Sequence, residues 1–215
     1  MSETPLRITG FVPDVTILGA GDYPSHPIPL SLLREAPVVQ CCDGAALSYL
    51  EHEGKRPWRI VGDGDSLSEA FKATHRDILR QIDEQDFNDQ TKNVKYAAAH
   101  QLKTIAIVGA TGKREDHTLG NISLLIDYME WGLNVRLYTN HGVFIPCLGN
   151  CCVEVPVGSA VSIFNFGCTE LSSEGLQYSL YPTTRLWQAT LNRTISPLFS
   201  IRANGAYLLF LNYPE

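Results

Sequence analysis

The stretch TIAIVGATGKREDHTLGN (residues 104–121) runs from a β-rich apolar segment, through a turn carrying two glycines, into the opening of a helix. TIAIV (104–108) is rich in β-branched residues, and GATG (109–112) stops it at once. An apolar strand that passes through glycine into a helix is the repeating unit of a parallel sheet buried on both faces. The same grammar recurs upstream. VTIL (15–18) runs into GAGD, VVQCC (38–42) into DGAA, and RIV (59–61) into GDGDS, while VRLYT (135–139) follows without such a cluster. Helical patterns lie between them. Ser66-x-x-Glu69 reads as a capping box opening a helix with Leu67, Phe71, Ile78 and Ile82 on one face. Residues 89–103 and 117–130 read as two more, the second stopped by Gly132. These alternations predict an α/β fold built on a mostly parallel, doubly wound sheet.

The pattern changes near residues 140–145. VFIPCL (143–148), CVEVPV (152–157), AVSIFNF (160–166), LQYSL (176–180), RLWQATL (185–191), LFSIRA (198–203) and AYLLFLNY (206–213) are short β-like runs broken by Gly, Pro and Asn. They predict a small antiparallel sandwich or barrel, with Ala203-Asn204-Gly205 as a hairpin turn. The charge divides the same way. Every Asp lies at or before Asp127 and every Lys at or before Lys113, so the first part carries most of the residue types that do chemistry.

At 215 residues the chain is roughly 1.4 typical domain lengths, enough for a proper core in a large and a small part. Seventeen Lys and Arg against 23 Asp and Glu give −6, with no basic cluster, which argues against nucleic acid or an anionic membrane as partner. The longest apolar run, 206–211, falls far short of the ~20 residues that span a bilayer. MSETPLRITG lacks the basic and then apolar residues of a signal peptide, so the expected location is the cytoplasm. Six cysteines include two vicinal pairs and no Cys-x-x-Cys, a spacing that reads as reduced structural thiols.

Four successive strands ending in Gly/Asp-rich turns place polar residues along one edge of a parallel sheet, where ligands bind. Asp63 and Asp65 of GDGDS, with Asp43 of DGAA, are oxygen ligands of the kind Mg²⁺ takes. Asp89 and Lys92, spaced i,i+3, share a helix face and would set a metal-binding acid beside a phosphate-binding ammonium. The glycines of 109–112 expose N–H groups to an anion, and Lys113 and Arg114 add cationic donors. Glu115 and Asp116 would repel a bare phosphate but suit one carrying Mg²⁺. A reductase using a nicotinamide cofactor on GATG, and a nucleotide-sensing module without transferase activity, are the alternatives.

DGAA, GDGDS, QDFNDQTK, GATGKREDHTLGN, GLQY and LNRT, in that order, resemble the thiamine pyrophosphokinase family over almost the whole chain. The resemblance implies a Rossmann-like nucleotide-binding α/β domain (1–142) followed by an antiparallel β-sandwich domain that binds thiamine (143–215). It implies transfer of the pyrophosphoryl group of ATP to the thiamine hydroxyl, giving thiamine diphosphate and AMP, with Mg²⁺, by a homodimer whose active sites lie at the subunit interface. Carried over by position, Asp63, Asp65, Asp89 and Asp116 form the catalytic centre, the first three as metal ligands. Asp43, Gly44, Lys92, Gly109, Thr111, Gly112, Arg114 and His117 bind the nucleotide. Asn192 matches the family's segment near the thiamine pocket. Thiamine is cationic and aromatic and suited to cation–π contact, for which Tyr178, Trp187 and Tyr207 are candidate ring faces, with filling of the sandwich core as the other reading. Gly64, Lys113, Glu115, Leu191 and Arg193 depart from the family's residues at their positions.

Overall fold

The structure, a computed structural model, describes residues 4–214. It divides into two compact units. One is Val12–Asn140; the other joins the residues up to Phe11 to those from His141 onward. The early segment enters the later unit through backbone pairing. Leu6 N–H donates to Cys152 O at 2.8 Å, its carbonyl accepts from Glu154 N–H at 2.8 Å, and Arg7 pairs with Glu154 at 2.6 Å.

In the Val12–Asn140 unit, strands alternate with helices: β1 (Val15–Leu18), α1 (Pro27–Arg34), β2 (Val39–Cys42), α2 (Ala45–Glu53), β3 (Arg59–Gly62) and α3 (Glu69–Thr74). Then come β4 (Leu79–Gln81), α4 (Asp89–Ala99), β5 (Thr104–Val108), α5 (Glu115–Ser123), α6 (Leu125–Glu130) and β6 (Asn134–Tyr138). The strand order is β6-β5-β1-β2-β3-β4, and every pairing is parallel. β1 and β2 are buried at every position, as a strand covered on both faces must be. The chain builds outward from β1 to β4, then α4 carries it back to start β5 on the other side of β1. The crevice beyond the carboxyl ends of β1 and β5 is therefore the point where the winding reverses.

In the other unit the strands pair antiparallel in two groups. β7 (Gly142–Leu148), β9 (Ala160–Asn165), β11 (Asn192–Arg193) and β13 (Ala206–Asn212) run in the order β11-β9-β13-β7. β8 (Cys151–Glu154), β10 (Leu171–Glu174) and β12 (Leu198–Ala203) form the order β10-β12-β8.

Several local expectations need correction. The helix after β3 is capped by Ser68, whose Oγ accepts from Phe71 N–H; Ser66 N–H is taken by the Asp43 carboxylate instead. That helix ends at Thr74, and Leu79–Gln81 pairs with β3 as an edge strand, so Ile78 and Ile82 lie outside it. The 117–130 segment is two helices meeting at Leu124. Residues 185–191 form turns, because Leu186 and Trp187 are exposed and no buried face fixes their alternation. Residues 176–180 contribute only a bridge from Leu176 to Thr194. Asn204 and Gly205 do not close a hairpin, since β12 and β13 belong to different sheets. The Asn204 Oδ1 accepts instead from the N–H groups of Thr169 and Glu170. None of the six cysteines is disulfide-bonded.

Candidate active site

The ends of β2 and β3 and the start of α4 converge on three carboxylates. Asp43, Asp63 and Asp89 each offer an oxygen within 4.8 Å of the others. Asp43 follows β2 directly with a left-handed backbone (φ +29°), an unusual conformation for a residue with a side chain. Its Oδ2 accepts from Ser66 N–H at 3.0 Å, while Oδ1 is buried with no hydrogen-bond partner. Gly62 makes this possible: a Cβ there would lie 2.7 Å from the Asp43 Cβ. Asp63 Oδ1 accepts from Asp65 N–H at 3.1 Å, which shapes the turn and leaves Oδ2 directed toward Lys92.

Asn88 sets the third acid. It caps α4 by accepting from Thr91 N–H at 2.9 Å, so Asp89 and Lys92 occupy the first turn, one above the other. Lys92 is only 3% exposed, with Nζ 3.5 Å from Asp89 Oδ1 and 3.8 Å from Asp63 Oδ2. Burial, then the negative Asp63, pushes the Asp89 carboxyl above its ordinary range, and Lys92 pulls it back. Three carboxylates against one ammonium retain excess negative charge. With the bare Asp43 Oδ1, that donor set fits a hard divalent cation.

Beside this cluster lies a cavity of about 600 Å³, lined among others by Gly19, Gly21, Asp63, Asp89, Lys92, Thr111, Lys113, Arg114 and His117. Its wall at the winding reversal is two glycine turns laced together. Gly21 N–H donates to Gly109 O at 2.7 Å, Asp22 N–H to Thr111 O at 2.8 Å, and Lys113 Nζ to Ala20 O at 2.8 Å. Any Cβ on Gly21 would collide with Thr111 O, and one on Gly112, whose φ is +94°, with the Asp22 carboxylate.

The structure thus brings Asp43, Asp63, Asp89 and Lys92 together, with Thr111, Arg114 and His117 on the same cavity. Gly44 stands at the cap of α2, where a Cβ would meet Ser66 at 3.1 Å, and Gly109 and Gly112 shape the second glycine turn. Asp65 is exposed and outside the carboxylate group. Asp116 is exposed too, clasped by Arg114 at 2.6 and 3.1 Å and accepting from His117 N–H. The Arg114 hydrogen bond holds its carboxyl down to about 2. The turn at Gly19 and Gly21 is the GAGD cluster, one of the four strand ends expected along the ligand edge, and it lines the cavity. Asn121, which donates to Ala110 O, is a lining residue that the sequence reading does not single out.

In the antiparallel unit, Asn192 is buried and spends its amide on the backbone of Tyr178: Oδ1 accepts from Tyr178 N–H and Nδ2 donates to Tyr178 O. Tyr178 and Trp187 are exposed at 62% and 72%, whereas Tyr207 is wholly buried.

The thiamin pyrophosphokinase catalytic domain profile matches residues 30–137, and the profile of that enzyme's substrate-binding domain matches 142–210. The chain belongs to the thiamin pyrophosphokinase family. Thiamine pyrophosphokinase function follows from that membership. Nicotinamide chemistry on GATG is set aside, since 109–112 lies inside the match to the family's catalytic domain. No curated protein sequence matches the chain. Among solved structures, thiamine pyrophosphokinase from Bacillus subtilis is 21% identical, with a TM-score of 0.76 over 94% of this chain and 99% of that one. The yeast enzyme is 15% identical, with a TM-score of 0.80 over 98% and 91%. The enzyme from Candida albicans is 18% identical, at 0.78 over 100% and 94%. At such identities the likeness is one of fold.

Proposed function

We propose that the cavity beyond β1, β2, β3 and β5 binds ATP with Mg²⁺, and that the pyrophosphoryl group passes from there to the hydroxyl of thiamine, releasing AMP. The observation that carries this reading is the trio Asp43, Asp63 and Asp89, the last two paired with the buried ammonium of Lys92 and lining a cavity walled by glycine turns. Asp43, Asp63 and Asp89 would hold the metal, with Asp65 shaping the turn through its N–H to Asp63 and Asp116 holding Arg114. Magnesium, when bound, withdraws charge from phosphate oxygens and so favours attack at phosphorus. The chain's own residues do the positioning. Lys92 is fixed by two carboxylates and presents a fixed positive charge to a polyphosphate. The turns at Gly19–Gly21 and Gly109–Gly112 allow close approach of backbone to phosphate, with Arg114 and His117 above them. Orientation and charge neutralisation account for most of such a rate enhancement, so a dedicated base is not required.

On this reading the parallel unit is Rossmann-like, as its reversal at β1 supports, and the antiparallel unit is a β-sandwich that takes thiamine. Tyr178 and Trp187 supply open ring faces there and Asn192 fixes the backbone of Tyr178, whereas the wholly buried Tyr207 offers no open ring face. The exposed apolar side chains of Tyr178, Tyr181, Leu186, Trp187 and Leu191 support a homodimer, and six cysteines outside any disulfide support a cytoplasmic location. Incubation with ATP, Mg²⁺ and thiamine tests the reaction. AMP and thiamine diphosphate in equal amounts are expected; ADP with thiamine monophosphate would overturn the proposal.

A further inference from the structure

Cys147 and Cys151 flank the turn Leu148-Gly149-Asn150 that leads from β7 into β8. Cys147 stands opposite Tyr207 in the β7–β13 ladder, so the two side chains share a face of their sheet. The Tyr207 hydroxyl reaches past it to Gly149 O at 3.1 Å and Cys151 Sγ at 3.0 Å. The Cys147 thiol donates to Ile145 O at 3.7 Å and lies near enough to Cys151 and the Tyr207 hydroxyl to act on both. Two thiols and a phenol therefore lie together where β7 and β13 meet the start of β8. Cys151 is partly exposed, whereas Cys147 is buried behind it.

The other thiols are built differently. Cys41 and Cys42 are buried and pushed upward by desolvation, and Cys168 is buried, bonded to Ala206 O and likewise raised. Cys152 follows Cys151 on a strand, so its side chain points to the opposite face. Hydrogen bonds from Cys147 and then Tyr207 lower the Cys151 thiol against the effect of burial. A partly exposed, acidified thiol in contact with a second thiol is the arrangement that oxidation selects.

We infer that Cys151 is a peroxide-reactive thiol and Cys147 its resolving partner, the two closing to a disulfide across the 148–150 turn. The Cys151 thiolate attacks one peroxide oxygen, the O–O bond breaks, and hydroxide leaves to become water, so Cys151 becomes a sulfenic acid. The Cys147 sulfur then attacks the Cys151 sulfur, the S–O bond breaks, and a second water departs. Two thiols lose two electrons and two protons, and one hydrogen peroxide is reduced to two waters. This inference is independent of the nucleotide site.

Hydrogen peroxide applied to the intact protein, followed by unfolding in guanidinium with N-ethylmaleimide present and peptide mapping by mass spectrometry, tests it. Two of the six thiols should escape alkylation, and the peptide holding 147 and 151 should be lighter by two hydrogens, reversibly with dithiothreitol. Cys147→Ser should leave a sulfenic acid at Cys151 that dimedone traps, and Cys151→Ser should leave Cys147 alkylatable. The wild-type map decides whether or not the variants fold. Oxidation falling first on Cys41, Cys42 or Cys168, a disulfide that uses Cys152, or six alkylated thiols after peroxide would each overturn the inference.

Discussion

Asp43 is buried with one oxygen bonded to Ser66 N–H and the other bare, a costly state that a cation would relieve. Asp43→Asn is therefore expected to keep the fold and lower AMP formation roughly a hundredfold or more, as loss of a charge-stabilising group in such centres does. Steady-state assay beside circular dichroism checks it. Lys92→Met leaves Asp63 and Asp89 facing each other without compensation, so it should cost stability as well as activity, about 1–3 kcal/mol by denaturant titration. Asp116 behaves differently. Its folded value of about 2 lies below the ordinary 3.8, so its favourable ionisation is complete above pH 3.8 and is lost as pH falls through about 2. Arg114→Gln should return it toward 3.8 in an NMR titration. At this scale the sequence showed which acids end strands but not which way they point. Gly64, at φ +82°, turns the chain between Asp63 and Asp65, and only Asp63 joins the cluster.

Secondary-structure elements set these side chains through their ends. Asn88→Ala removes the α4 cap, at about 1 kcal/mol and roughly 2–4 °C in Tm for a chain of this size. Because Asp89 and Lys92 sit in the freed turn, activity should fall further than that stability loss explains. Gly62→Ala drives a methyl group against Asp43, so the expected loss is of the cluster rather than of β3. The strands of the parallel sheet were legible because each is an apolar run closed by glycine or acid. β4 was not: Leu79–Gln81 is a short, partly exposed edge strand, and Ile78 and Ile82 on either side mimic helical spacing. The run 185–191 misled for the opposite reason, as apolar residues alternate there without a buried face to fix them.

On the scale of the whole molecule, the parallel unit and its reversal at β1 were readable from alternation alone, while the return of the first residues to the later unit was not. No local pattern in TPLRITG announces a partner about 150 residues away. Removing residues 1–10 should speed hydrogen exchange at Glu154 N–H, which donates to Leu6 O, and leave the amides of β1 and β5 unchanged. The carboxylate trio is the point on which the functional account rests, and Mn²⁺ binding reads it directly. Electron paramagnetic resonance titration with a non-hydrolysable ATP analogue should find tight Mn²⁺ binding in the wild type, weakened about tenfold or more in each of Asp43→Asn, Asp63→Asn and Asp89→Asn. Equal Mn²⁺ affinity in all four proteins would contradict it.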